Sequence, residues 1–244
     1  MNELQVEGVA KSFGKRNIIE NLSFSLGKEE FVSIIGPSGS GKSTLFNLIG
    51  GIYKPDAGTI RLGNEVINGK RGMISYMPQT PSLLPWRNVL DNVLLGQELM
   101  GERDVAAACM MLERAGLQEY AASFSHELSG GMQQRVAFIR ALLSPQSIIC
   151  LDEPFSALDE LTRVDMQKWL LSIWEMHKRS VLFVTHNIEE AMFLSDRILV
   201  LSAKPAQIIA EFKLPFARPR AANLLLDDQF IEWKRKIYSA LKSG

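Results

Sequence analysis

The chain has 244 residues, 46% of them hydrophobic, and its 27 Lys plus Arg balance 27 Asp plus Glu to a formal net charge of zero. That length supports a sizeable core and predicts one domain with sub-lobes rather than two independent folds. The charge balance argues against a bulk nucleic-acid binder, which carries a basic excess.

The opening residues Met1-Asn2-Glu3-Leu4-Gln5-Val6 lack a basic start followed by an apolar run, so no secretory leader is expected. The longest apolar stretches, such as 198–201, fall far short of the ~20 residues of a membrane-spanning helix. A cytoplasmic protein is expected, with any membrane role exercised through a partner. Cys109 and Cys150 lie in apolar surroundings without metal-type spacing and are expected as reduced core residues.

In chain order, the first continuous apolar run is 31–35, followed by a helical pattern in which Leu45, Leu48 and Ile49 share a face. Residues 60–76 read as shorter strands with turns at Gly63, Gly69 and Gly72, a small antiparallel flank. From 81 to 143 strand signals are few. An amphipathic helix is predicted over 104–115 and a second from near Ser129, together an inserted helical lobe. Runs 148–151, 181–185 and 198–201 read as strands buried on both faces, which predicts a parallel sheet in an α/β protein. Between them Met166, Trp169, Leu170, Ile173, Trp174 and His177 mark one apolar helix face. Near the end Phe230, Trp233, Ile237, Tyr238 and Leu241 share another face, either a helix packed on the core or a partner surface.

Gly36-Pro37-Ser38-Gly39-Ser40-Gly41-Lys42-Ser43, followed by Thr44, fits G-x-x-x-x-G-K-[ST] directly between a predicted strand and a predicted helix. In such a P-loop, backbone N–H groups and the helix N-terminus cradle phosphates. Lys42 reaches the β- and γ-phosphates, and the Ser43 hydroxyl ligates Mg²⁺. The run 148–153 ends a buried strand in Asp152 and Glu153. Asp152 is expected to hold Mg²⁺ and Glu153 to act as general base on the attacking water.

A P-loop alone does not choose among kinases, GTPases, helicases and transporters. Leu128-Ser129-Gly130-Gly131-Met132-Gln133-Gln134-Arg135 does, because it closely resembles the signature motif of ABC ATPases. Ser129 is a good helix N-cap, and Gly130 and Gly131 leave backbone N–H groups open to a phosphate. The resemblance implies head-to-tail homodimers in which Ser129, Gly130, Gly131 and Gln133 close on the partner's ATP. It also implies that Gln79 senses Mg²⁺, that Ser156-Ala157-Leu158-Asp159 is the D-loop, that His186 contacts the γ-phosphate, and that Phe13 stacks on adenine. His186 is followed by Asn187, where Asp is commoner in the family. The stretch 79–93, with Leu84-Pro85-Trp86-Arg87, looks like the bacterial nitrate/sulfonate/taurine importer group, as do 189–197 and 201–205.

The expectation is thus an α/β P-loop (RecA-like) ATPase forming a single nucleotide-binding domain over 1–244. Its parts are a β flank and P-loop core at about 1–80, a helical lobe at about 81–144, core completion at about 145–212 and a C-terminal helix at about 223–243. ATP and Mg²⁺ are the expected ligands. The resemblance implies membrane permease subunits as partners, an extracytoplasmic solute-binding protein acting indirectly, no nucleic acid, and a place on the cytoplasmic face of the inner membrane. Trp86 is the expected permease contact. The alternative is a soluble ABC ATPase of an assembly complex of the iron–sulfur type.

Overall fold

The computed structural model describes residues 2–156, 158–220 and 222–243. Its elements run β1 (Asn2–Phe13), β2 (Arg16–Gly27), β3 (Phe31–Ile35), α1 (Lys42–Ile49), β4 (Ala57–Leu62), β5 (Glu65–Val66), β6 (Ser75–Met77), α2 (Val89–Glu98), α3 (Val105–Arg114) and α4 (Gly130–Leu143). Then follow β7 (Ile148–Asp152), α5 (Glu160–His177), β8 (Ser180–Val184), α6 (Ile188–Leu194), β9 (Arg197–Leu201), β10 (Ile208–Lys213) and α7 (Asp228–Ser243). One sheet has the order β10-β9-β3-β8-β7-β6, parallel except for its β10 edge. The other is antiparallel, in the order β2-β1-β4-β5.

Every residue of β3, β7 and β8 is buried, because helices or the second sheet cover both faces of the parallel sheet. One face packs α1, through Phe46, Leu48 and Ile49, against the antiparallel sheet. The other packs Phe138 of α4 and Met166, Leu170 and Trp174 of α5 against Phe31, Leu151 and Phe183. Each such side chain contributes about 1.5–3 kcal/mol on burial. Helices α2, α3 and α4 close over their own apolar cluster, with Val93, Leu112 and Ile139 at its centre and Ile173 joining it from α5. Among the described residues no helix is long and apolar enough to cross a membrane.

Several expectations change. The 60–76 stretch is split: β4 and β5 pair antiparallel, whereas β6 joins the parallel sheet beside β7. At three residues, β6 is too short to show its period. The hairpin β1–β2 carried no clear strand signal, because register shifts at four places break its alternation. Helix α2 was also unread; its Asn88 N-cap accepts from the Asp91 N–H at 2.7 Å. Cys150 is buried, but Cys109 is exposed on α3. In α7, Phe230 and Ile237 are buried against α6 and β9, while Tyr238 is exposed, lying one residue and about 100° off that face. The helix is thus packed on the core. The side chain of His177 and residue Ala157 lie outside the described residues.

Candidate nucleotide site

The loop after β3 turns into α1 at Gly41, whose φ of 115° is a conformation that L side chains rarely adopt. No side chain caps α1, so its first N–H groups stay free for an anion. Lys42 is only 6% exposed. Its Nζ donates to the carbonyls of Gly36 and Pro37, both at 2.9 Å, which bends the loop around the amine. Burial pulls the Lys42 ammonium below the usual lysine range, and the charges of Glu153 and Asp152 oppose that.

Strand β7 delivers Asp152 at its buried end and Glu153 immediately after it. Glu153 has φ 47°, and its N–H donates to the Val184 carbonyl of β8 at 2.9 Å. This strained bend swings its carboxylate out of the sheet line. Glu153 Oε2 accepts from Gln79 Nε2 at 3.3 Å and lies 3.3 Å from His186 Nδ1. Gln79 follows β6 and His186 follows β8, so three neighbouring strand ends meet on one oxygen atom. A cavity of about 600 Å³ is walled by Ser38, Gly39, Ser40, Gly41, Lys42, Ser43, Thr44, Gln79, Glu153, His186 and Lys204.

Lys204 lies in the 201–205 stretch that resembles the importer group, and that resemblance implies no role for it. No local motif marks it; β9 and the turn before β10 bring it to the cavity. Asn187, the departure from the family's commoner Asp, caps α6 equally well: its Oδ1 accepts from the N–H groups of Glu189 and Glu190 at 2.8 and 3.3 Å. Arg220 bonds to the carbonyls of Met192 and Phe193 at the other end of α6, and burial pulls its guanidinium down to about 10.

Not every expected residue lies at this cavity. Ser129 caps α4, accepting from Met132 N–H at 3.3 Å, and Gly130 beside it is exposed. Gln133 Nε2 is spent on the Ser125 and Leu128 carbonyls at 2.8 and 3.3 Å, holding the loop before α4. Ser129, Gly130, Gly131 and Gln133 form no part of the cavity wall. Nor does Phe13, which is 43% exposed and meets Tyr53 edge-on at 5.2 Å.

Asp152 is 2% exposed. Burial pushes its carboxyl up and the Glu153 charge adds to this, while the Ser43 and Tyr76 hydroxyls and the Lys42 charge pull it down. A raised pKa means that its stabilising contribution is complete below the unfolded pKa and is lost as pH rises through the folded one. Ionised Asp152 therefore costs stability at neutral pH. Asp152→Asn is expected to raise the ligand-free Tm by roughly 2–4 °C at pH 7, with a smaller gain at pH 4. Thermal melts at the two pH values check this; a lower Tm for the variant at pH 7 contradicts it.

With this geometry in view, the likeness to known proteins is extensive. Residues 19–156 match the family model described as ABC transporter. The taurine import ATP-binding protein TauB of Rhizobium johnstonii is 41% identical over 92% of this chain and 89% of its own length. The formylaminopyrimidine import ATP-binding protein ThiZ of Halalkalibacterium halodurans is 44% identical over 81% of this chain and 78% of its own. The aliphatic sulfonates import ATP-binding protein SsuB of Bacillus cereus is 37% identical over 99% of this chain and 96% of its own. A bacterial ABC transporter cassette solved as a dimer superposes with a TM-score of 0.78 at 32% identity, covering 88% of this chain and 100% of that one. A dimeric post-hydrolysis cassette bound to ADP and Pi gives 0.77 at 31% identity, again over 88% of this chain and 100% of that one. The signature sequence, the P-loop sheet and these likenesses agree: the chain belongs to the ABC transporter family and is one of its ATP-binding, ATP-hydrolysing cassettes.

Proposed function

We propose that two copies of this cassette close head to tail around two ATP molecules and drive a separate membrane permease. The cargo is a small anion or related solute taken inward, such as a sulfonate, taurine or nitrate. The observation that carries this reading is the meeting of Lys42, Gln79, Glu153 and His186 at one cavity while the Ser129–Gly131 backbone stands apart from it. A lone chain supplies only half of each enclosure. The dimeric solved cassettes support the pairing, and the import names of the three relatives support the direction. The cassette then sits on the cytoplasmic face of the inner membrane. A solute-binding protein on the far side acts only through the permease.

The donor set suits Mg²⁺. The Ser43 hydroxyl, which pulls the Asp152 carboxyl down, the Asp152 carboxylate and the Gln79 amide would offer hard oxygen ligands. When bound, Mg²⁺ neutralises phosphate charge. On ATP binding, Lys42 exchanges neutral carbonyls for phosphate oxygens, a stronger charge-assisted contact. Exposed Phe13 offers a ring face to the adenine. Glu153 takes a proton from the attacking water, oriented by Gln79 and by His186, which also meets the γ-phosphate. The free N–H groups of Ser129, Gly130 and Gly131 close on the partner's ATP. ATP favours the closed pair and ADP the open one, a shift driven by differential affinity.

Trp86 is 72% exposed beside the N-terminus of α2, so it covers little of its own protein. Aromatic residues of this kind anchor interfaces. Trp86→Ala is expected to leave Tm and the ATPase rate of the isolated cassette unchanged while uncoupling hydrolysis from uptake in reconstituted vesicles. Loss of folding in that variant would assign Trp86 to local packing. The permease itself is tested by gentle solubilisation of native membranes and mass spectrometry of what co-purifies with the tagged chain. A multi-span membrane protein supports the proposal. Soluble partners alone, with the chain absent from membranes, overturn it in favour of an assembly ATPase.

A further inference from the structure

Helix α6 follows His186 after a single residue, its N-cap Asn187. It is only seven residues long, and a helix of that length depends on its ends and its packing. Glu190, Ala191, Met192, Phe193 and Leu194 are all buried, so the carbonyls that end it need donors from the protein. The N–H of Asp196, four residues after Met192, is turned away and donates to the Phe31 carbonyl at 2.8 Å.

Two arginines from the segment after β10 supply the missing donors. Arg220 Nη1 donates to the Met192 and Phe193 carbonyls at 2.8 and 3.0 Å. Arg218 Nη2 donates to the Leu194 carbonyl at 2.6 Å. Both guanidinium groups are themselves fixed. Arg220 is 7% exposed, and its Nη2 donates to the Phe216 carbonyl at 3.3 Å. Arg218 lies 4.1 Å over the Trp174 ring of α5, and its Nε donates to Asp196 Oδ1 at 2.8 Å. Packing follows the same path: Phe230 and Ile237 of α7 share one apolar cluster with Ala191 and Met192 of α6. At its other end α6 carries the His186 loop, with Nδ1 3.3 Å from Glu153 Oε2. Such a helix is only about 10 Å long, so a tilt that shifts one end shifts the other by a comparable distance.

We infer that Arg220, seconded by Arg218, is a positioning residue for hydrolysis: by holding the C-terminal end of α6 it fixes the His186 imidazole against Glu153 and the γ-phosphate. This rests on the reading of His186 given above. Arg220 does not line the phosphate cavity and acts through α6 alone. Without its forked donor two buried carbonyls lose their partners, and the last turn of α6 must shift to find others. Nucleotide binding stands outside this line, because the phosphate loop and Phe13 belong to other elements.

The test combines ATPase kinetics, nucleotide titration and Tm in the full chain with the imidazole NMR signals of its three histidines, that of His186 being assigned by His186→Ala. Arg220→Met keeps the aliphatic stem and removes the donors. It is expected to lower kcat by tenfold to about 10²-fold, the scale of a catalytic group displaced by about 1 Å, while ATP affinity stays within about twofold. The His186 signal is expected to move and that of His126, in the helical lobe, to stay. Arg220→Lys keeps the charge but not the fork, and is expected to recover part of the loss. In the His186→Ala background Arg220→Met is expected to lower kcat no further, because both changes act on one group. Lys234→Met cuts only an exposed pair with Glu189 and is expected to change none of these readings. If Arg220→Met fails to fold, the same measurements on Arg218→Met decide, with the same outcomes. An unchanged kcat or an unmoved His186 signal overturns the clamp. So does a loss of kcat that persists in full in the His186→Ala background. A His186→Ala enzyme as fast as wild type overturns the reading of His186 and the clamp with it.

Discussion

Glu153→Gln is expected to lower kcat by about 10²- to 10⁴-fold, the contribution of a general base, while ATP binding survives. The amide keeps the shape of the carboxylate and can still bond to Gln79 and His186, which both meet Oε2 at 3.3 Å. What it loses is the capacity to accept a proton. On the proposed cycle, in which hydrolysis ends the closed state, the variant is expected to accumulate as an ATP-bound dimer. Single-turnover kinetics and light scattering with Mg·ATP read both consequences. Turnover within a few-fold of wild type would remove Glu153 from the role of base. The φ of 47° is retained by Gln, so a large loss of Tm is not part of the expectation.

Gly51→Ala is expected to lower stability by about 2 kcal/mol or more, a fall in Tm of at least roughly 4 °C for a chain of this size. Helix α1 ends in a Schellman motif. Ile52 N–H donates to the Asn47 carbonyl at 2.8 Å and Gly51 N–H to the Leu48 carbonyl at 3.2 Å. Gly51 takes the left-handed position, φ 72°, and an added Cβ would lie 2.1 Å from the Lys70 carbonyl oxygen. The alanine thus meets both backbone strain and a chain segment with no flexible side chain to yield. Gly63→Ala isolates the first effect: φ there is 55° but nothing lies within 4 Å of the added atom. It should cost only about 1–2 kcal/mol. Since α1 carries Lys42 and Ser43 at its other end, Gly51→Ala should also weaken ATP binding, read by nucleotide titration. Equal Tm losses in the two variants would remove the close approach from the explanation.

The legibility of this chain divides along a physical line. Where function needs contiguous residues, the sequence displays it. The phosphate loop is a strand, a turn and a helix start in unbroken order, and each part has a local rule: an apolar run, glycines at a positive φ, and an apolar helix face. The pair Asp152-Glu153 is legible for the same reason, as two acids ending a buried strand. The cap at Ser129 and the parallel core also follow from local pattern. So does the capping by Asn187, since either Asn or Asp accepts the first N–H groups of a helix.

What local pattern cannot carry is which distant ends meet. Residues 79, 153 and 186 share one carboxylate oxygen only because β6, β7 and β8 are adjacent and in register in the sheet. Lys204 reaches the cavity through the turn between β9 and β10, and nothing in its neighbours marks it. The sheet likewise decided that Ser75–Met77 is a parallel strand, because three residues hold no period and only pairing with β7 defines them. Exposure of Cys109 and Tyr238 depends on which helix face the neighbours leave open. The clamp of Arg218 and Arg220 on the end of α6 joins segments more than 20 residues apart, and no local pattern marks it. By itself, the sequence determined the chemistry of the phosphate loop and the acids beside it. The tertiary structure decided their convergence, because hydrogen-bonded strand order sets neighbours across the chain that no spacing along it encodes.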